Sequence, residues 1–109
     1  MTEKRIELTG ASGFTFGALH VAPQGARKGG LVLIQEIFGI NSYMAAAARR
    51  FAAAGFEVIV PSMFDRQERG FLREGHGPDD IAAGGGHARA NGIENALADI
   101  GACLEALDG

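Results

Sequence analysis

Apolar and polar positions alternate briefly over residues 5–8. They alternate again over 14–22, where Phe14, Phe16, Ala18 and His20 take one side and Thr15, Gly17, Leu19 and Val21 the other. A period of two is that of a strand whose two faces meet different surroundings. Residues 9–13, Thr-Gly-Ala-Ser-Gly, carry turn chemistry, so the pattern predicts an antiparallel hairpin. A polar loop spans 23–30. Residues 31–34 are then apolar without interruption, as in a strand covered on both faces of a parallel sheet. Gln35 and Glu36 stand at its carboxyl tip.

The period changes after that. Asn41 offers a helix N-cap, and Met44, Ala47, Ala48, Phe51 and Ala52 recur at helical spacing, with Gly55 as the stop. Residues 56–60 form a second buried-strand run, closed by Pro61. Strand, helix and strand together predict one right-handed βαβ unit. Residues 62–91 are rich in glycine and read as a lid or binding loop, or as the cover of a short helix. Pro78-Asp79-Asp80 can open such a helix, but Gly84-Gly85-Gly86 would weaken it and read as a flexible hinge. From Gly92 onward, Ile93, Ala96, Leu97, Ile100, Leu104 and Leu107 form one apolar stripe, with Glu94, Asp99, Glu105 and Asp108 away from it. The reading is a single α/β domain over residues 1–109, with no internal repeat.

Composition narrows the partners. Hydrophobic residues make up 47% and charged residues 21% of 109, an ordinary globular balance that argues against disorder. A net charge of -3 leaves no electrostatic footprint for nucleic acid. The single Cys103 excludes an internal disulfide and a cysteine-based zinc site. The start lacks a basic-then-apolar leader, and the run over 31–34 is too short to span a bilayer, so a cytoplasmic protein without membrane attachment is expected.

The candidate chemistry is sparse. Cys103 falls mid-helix without elbow glycines and reads as a buried packing residue. His20 reads as a polar strand residue, and His76 and His87 as solvent-exposed loop histidines. With Asp79 and Asp80 between them, the latter pair matches no HExxH-type metal arrangement, so no metal or other cofactor is expected. Arg66, Glu68, Arg69 and Glu74 read as a solvated mixed-charge segment. Glu36 is more suggestive, because open α/β sheets bind ligands outside the carboxyl ends of their strands. The plainer reading is that it caps the strand or pairs with Arg66. A flavodoxin-like or Rossmann-like binding domain fits poorly, since Glu36-Ile37-Phe38-Gly39 lacks the glycine spacing that admits a phosphate.

The stretch 31–66 resembles the dienelactone hydrolase family. The likeness is carried by Gln35-Glu36-Ile37-Phe38-Gly39-Ile40-Asn41 and, in support, by Pro61-Ser62-Met63-Phe64-Asp65-Arg66. The resemblance implies an α/β-hydrolase fold and a small-molecule ester or lactone substrate. It also implies a cysteine nucleophile on a strand-to-helix elbow, with an Asp and a His later in the chain. Glu36 would lie beside the thiol and handle its proton, and the Ile37 backbone N–H would form half of the oxyanion hole. No Gly-x-Cys-x-Gly or Gly-x-Ser-x-Gly occurs here, and residues 74–88 hold no Arg or Lys to meet a lactone carboxylate. The expectation is therefore the N-terminal part of a hydrolase sheet: a hairpin, a βαβ unit and a further helix, without the nucleophile strand. The strand over 31–34 would then present an unpaired edge, favouring self-association or a completing polypeptide. The alternatives are a non-catalytic fragment or binding module, or one half of a split hydrolase.

Overall fold

In the computed structural model, which describes residues 1–108, the hairpin forms from β1 (Thr2–Thr9) and β2 (Thr15–Ala22), paired antiparallel from Thr2↔Ala22 to Thr9↔Thr15. Its turn closes through the Gly13 N–H donating to the Gly10 carbonyl at 2.9 Å, with Gly13 at φ +84°, where a glycine is least strained. Next come β3 (Gly29–Val32), α1 (Ser42–Ala53), β4 (Phe56–Pro61) and α2 (Pro78–Leu107). The sheet order is β1-β2-β4-β3, with β2 and β4 antiparallel and β3 and β4 parallel. Among the described residues, the outer edge of β3 has no neighbouring strand.

Alternation along β2 and β4 divides the core into two layers. Leu19, Val21, Val58 and Val60 face α1, where Met44, Ala48 and Ala52 close on them. Phe16, Ala18 and Ile59 face α2, where Ala102, Cys103 and Leu107 cover them. α1 begins as the sequence predicts: the Met44 N–H donates to Asn41 Oδ1 at 3.1 Å, and Gly55, at φ +108°, follows its last turn. Phe51, expected inside, is exposed. α1 seats closely on its alanines, which leaves the larger ring at the margin.

Three expectations need correction. β3 starts two residues earlier than the apolar run over 31–34 and ends at Val32, because Gly29 and Gly30 pair with Phe56 and Glu57 through backbone alone. Leu33 still donates its N–H to the Ile59 carbonyl at 3.0 Å, and Ile34 has left the ladder. The glycine-rich stretch, secondly, is a loop only as far as Gly77; the helix that Pro78-Asp79-Asp80 can open does form, and Gly84-Gly85-Gly86 is no hinge in it. α2 opens at Pro78 with Asp79 and Asp80 in its first turn, where their charge suits the helix dipole, and runs straight through Gly84-Gly85-Gly86. Its bend lies at Gly92 (φ 75°, ψ 167°).

The stripe on the second half of α2 is also turned. Asp99, expected outside, is 2% exposed, whereas Ile93, Leu97 and Leu104 are 71%, 59% and 59% exposed. The cause is Arg66: Glu68, Arg69 and Glu74 of the mixed-charge segment are exposed as expected, but Arg66 is drawn inward. Its guanidinium donates to Asp99 Oδ2 at 2.8 Å and lies 4.4 Å above the Phe14 ring. That pair pulls Asp99 under the helix and swings the apolar residues sideways. Asp65 is equally buried, accepting from Gly17 N–H, Ser62 Oγ and Gly70 N–H at 2.7–2.8 Å.

At the far end of α2, Arg27 bridges Glu57 (2.7 Å) and the Leu107 carbonyl (2.9 Å), and His20 Nε2 also reaches Glu57 at 2.7 Å. The His20 hydrogen bond, with Arg27 beside it, holds the Glu57 carboxyl below its ordinary range despite partial burial.

Replacing one partner of the Arg66–Asp99 pair strands a buried charge. Asp99→Ala is expected to cost about 3–5 kcal/mol in urea unfolding. The double replacement Arg66→Met with Asp99→Leu should recover most of that loss; failure to recover would show that the pair does more than neutralise itself.

Candidate functional site

Where β3 ends, the chain is held on three sides. Gln35 acts toward β4 and along its own strand: its Oε1 accepts from the Met63 N–H at 2.8 Å, and its Nε2 donates to the Glu36 carbonyl at 2.8 Å. On the second side, the backbone of residues 38–41 meets the segment after β4. Gly39 bridges Leu72, the Arg73 N–H donates to the Phe38 carbonyl at 2.9 Å, and Asn41 Nδ2 donates to the Arg73 carbonyl at 3.2 Å. Glu74 completes this side by accepting from both the N–H (3.1 Å) and the hydroxyl (2.7 Å) of Ser42, at the start of α1. Gly39 is at φ +78°, and a Cβ there would overlap the Phe71 carbonyl, so no other residue fits.

The third side is α2. Gly84 lies so close to the Ile37 carbonyl that a Cβ would overlap it. This is why a glycine-rich run that lowers helix propensity is nonetheless helical: the backbone must pass within contact of the turn. The neighbouring apolar cluster of Met63, Phe64 and Phe71, with Ile37, Ala83 and Ala88 against it, holds the two together.

What this leaves free is the Glu36 carboxylate and the Ile37 N–H. Glu36 is exposed, and its side chain makes no hydrogen bond or ion pair with the described residues. The Ile37 N–H likewise has no partner among them. The pairing of Glu36 with Arg66 does not occur, since Arg66 is committed to Asp99. Glu36 and Ile37 both line one cleft of about 370 Å³, together with Met63 and Phe64 and with Ala88, Asn91 and Ala96 of α2. An unpaired carboxylate can take a proton, and an unpaired N–H at the adjacent residue can donate to a developing oxyanion.

The other sequence candidates fall elsewhere. Cys103 is fully buried, and burial, with the Asp99 charge second, pushes its thiol up to about 12, which suits packing and not attack. His87 is helical, not in a loop; its Nε2 lies 3.1 Å from Glu68 and its ring sits edge-on to Phe71 at 4.7 Å. His76 lies against Phe38 at 4.5 Å. Among the described residues, no three His, Cys, Asp or Glu side chains converge to hold a metal ion. Asn91 escaped the sequence reading. A lone Asn ahead of a glycine reads as a turn, whereas here it is buried beside the bend of α2 and lines the cleft.

Residues 16–108 match the model of the dienelactone hydrolase family. The chain belongs to that family. Among dienelactone hydrolase relatives, the carboxymethylenebutenolidase of Pseudomonas putida is 33% identical over 70 residues, covering 64% of this chain and 30% of that protein. A Synechocystis protein assigned as a carboxymethylenebutenolidase is 43% identical over 54 residues, covering 50% of this chain and 22% of its own length. A solved structure from Klebsiella pneumoniae, assigned as a dienelactone hydrolase, superposes with a TM-score of 0.72 at 22% identity, covering 98% of this chain and 44% of that one. This likeness gives the α/β-hydrolase fold, and the chain spans less than half the length of the proteins it matches.

Gly84→Ala tests how the turn is held. In an unobstructed helix this change stabilises by about 1 kcal/mol. Here it should destabilise by about 1–3 kcal/mol in urea unfolding, because the helix must back away from Ile37. A stabilised variant would show that the contact is slack.

Proposed function

We propose that this chain carries part of the active site of an enzyme that hydrolyses carboxylic ester or lactone carbonyls. The observation behind the reading is the pair of uncommitted groups on one rigid turn, Glu36 and the Ile37 N–H, at the carboxyl end of a parallel strand and beside a cleft. In this reading a thiol from outside the described residues attacks the carbonyl carbon, and Glu36 helps manage its proton. The carbonyl electron pair moves onto oxygen, where the Ile37 N–H donates to it, until the alcohol leaves and water releases the acyl group.

The same reading calls for a completing segment or polypeptide. The outer edge of β3 and the exposed side chains of Ile34, Ile93, Leu97 and Leu104 are the surface it would cover. A cytoplasmic setting suits a mechanism that depends on a free thiol. No helix among the described residues is long and apolar enough to cross a membrane.

Two measurements test this proposal. In the enzyme completed by its nucleophile-bearing portion, Glu36→Gln should lower kcat/KM by about 10²–10⁴-fold and leave the melting temperature nearly unchanged. Equal losses in activity and stability would make Glu36 structural. The chain by itself, 11.3 kDa, should sediment as a larger species at micromolar concentration. A monodisperse monomer that melts cooperatively would mean that the open edge needs no partner.

A further inference from the structure

The peptide between Glu36 and Ile37 carries the N–H that the proposed mechanism aims at the developing negative charge. That peptide is trans, so its carbonyl and its N–H point in opposite directions within one rigid plane. Whatever fixes the Glu36 carbonyl therefore fixes the direction of the Ile37 N–H. Among the described residues, the Glu36 carbonyl accepts from Gln35 Nε2 at 2.8 Å. The next two carbonyls of the turn are held by other elements. Gly84 of α2 presses on that of Ile37, and the Arg73 N–H donates to that of Phe38 at 2.9 Å. Of these three contacts, the one from Gln35 acts on the plane that carries the Ile37 N–H.

The Gln35 side chain is itself anchored. Leu33 still bonds the Ile59 carbonyl through its backbone N–H. Two residues on, the link to the neighbouring chain is made by a side chain: Gln35 Oε1 accepts from the Met63 N–H at 2.8 Å. Met63 is buried in the cluster with Phe64 and Phe71, so the anchor point is packed. The two ends of the carboxamide are not interchangeable. Flipping it would set its oxygen against the Glu36 carbonyl and its NH2 against the Met63 N–H, so both partners enforce one orientation. This position needs an acceptor and a donor on one side chain of this reach, which an ionised glutamate or a methionine does not offer.

Given the hydrolase reading, on which this role rests, we propose that Gln35 is a positioning residue that holds the Glu36–Ile37 peptide with its N–H directed at the reacting carbonyl oxygen. Losing one hydrogen bond of this kind should lower kcat by about five- to tenfold. That is less than the roughly 10²–10³-fold loss expected when a whole oxyanion donor is removed. KM should stay nearly unchanged, because the N–H matters most once charge has developed.

Two variants of the enzyme completed by its nucleophile-bearing portion separate this role from a structural one. Gln35→Glu keeps an oxygen for the Met63 N–H and loses the donor to the Glu36 carbonyl. Gln35→Met keeps the length, adds no charge and loses both bonds. Each is assayed on a p-nitrophenyl ester below its melting transition, and the Ile37 amide is followed by NMR. Both variants should show the kcat loss with KM nearly unchanged. In both, the Ile37 amide signal should shift and broaden, while that of Val58, in the β3–β4 ladder, stays in place. Full kcat in Gln35→Glu alongside a loss in Gln35→Met would leave only the tie to Met63, and would overturn the proposal. Full kcat in Gln35→Met overturns it as well, since any loss in Gln35→Glu then comes from the added charge. So does a loss expressed mainly in KM, or an Ile37 amide unmoved in both variants. The hydrolase reading fails separately: an unaltered completed enzyme that cleaves no ester sinks it, and the Ile37 amide then decides alone whether Gln35 orients that peptide.

Discussion

Two places where backbone presses on backbone determine this site. At Gly39 the turn after β3 touches the Phe71 carbonyl, and at Gly84 the helix α2 touches the Ile37 carbonyl. Neither contact leaves room for a Cβ, so both require glycine and both are nearly incompressible. The contact at Gly84 fixes the peptide that carries the Ile37 carbonyl, and the preceding peptide, which carries the Ile37 N–H, is held through the Glu36 carbonyl by Gln35 Nε2. In the proposed reading, a donor held in this way needs little reorganisation when charge develops in front of it. The hydrogen bonds of Gln35 and Asn41 then hold the two ends of the same turn.

The second constraint acts at longer range and on orientation. Arg66, in the segment after β4, bonds Asp99 across 33 residues of sequence. The ion pair is costly to desolvate, and its value lies less in net stability than in specifying one rotation of the helix. With Asp99 turned inward, Cys103 and Leu107 complete the core beneath, while Ile93, Leu97 and Leu104 are left exposed. One buried pair thus sets both the packing of this layer and which apolar side chains stay exposed.

This division explains what was legible in the sequence. The hairpin, the Asn41 cap, the Gly55 stop and the parallel strand pair rest on interactions within a few residues or on simple alternation, and these leave a trace in any short window. Glu36 and Ile37 were named through the resemblance of the stretch around them, and their carboxylate and N–H have no partner among the described residues. The helical state of Gly84-Gly85-Gly86 was not legible, because its cause is Ile37, 47 positions earlier than Gly84. Local propensity and tertiary contact disagree there, and contact wins. Periodicity in the last helix showed that an apolar stripe exists, but not which neighbour it faces, since that depends on where Arg66 lies.

The unsatisfied groups carry the last step of the argument. Most buried polar side chains here find partners, as with Asp65, Asp99 and Ser62. Among the described residues, three buried side-chain atoms do not: His20 Nδ1, Gln67 Oε1 and Asn91 Oδ1. His20 is at least bound through its other nitrogen to Glu57. Asn91 alone of the three borders the cleft, and the Glu36 carboxylate and the Ile37 N–H that share this cleft are also uncommitted. Exposed Glu36 keeps its hydrogen bonds to solvent, so among the groups at this cleft the buried Asn91 oxygen is the side-chain atom left unsatisfied. Local rules fail preferentially at functional sites.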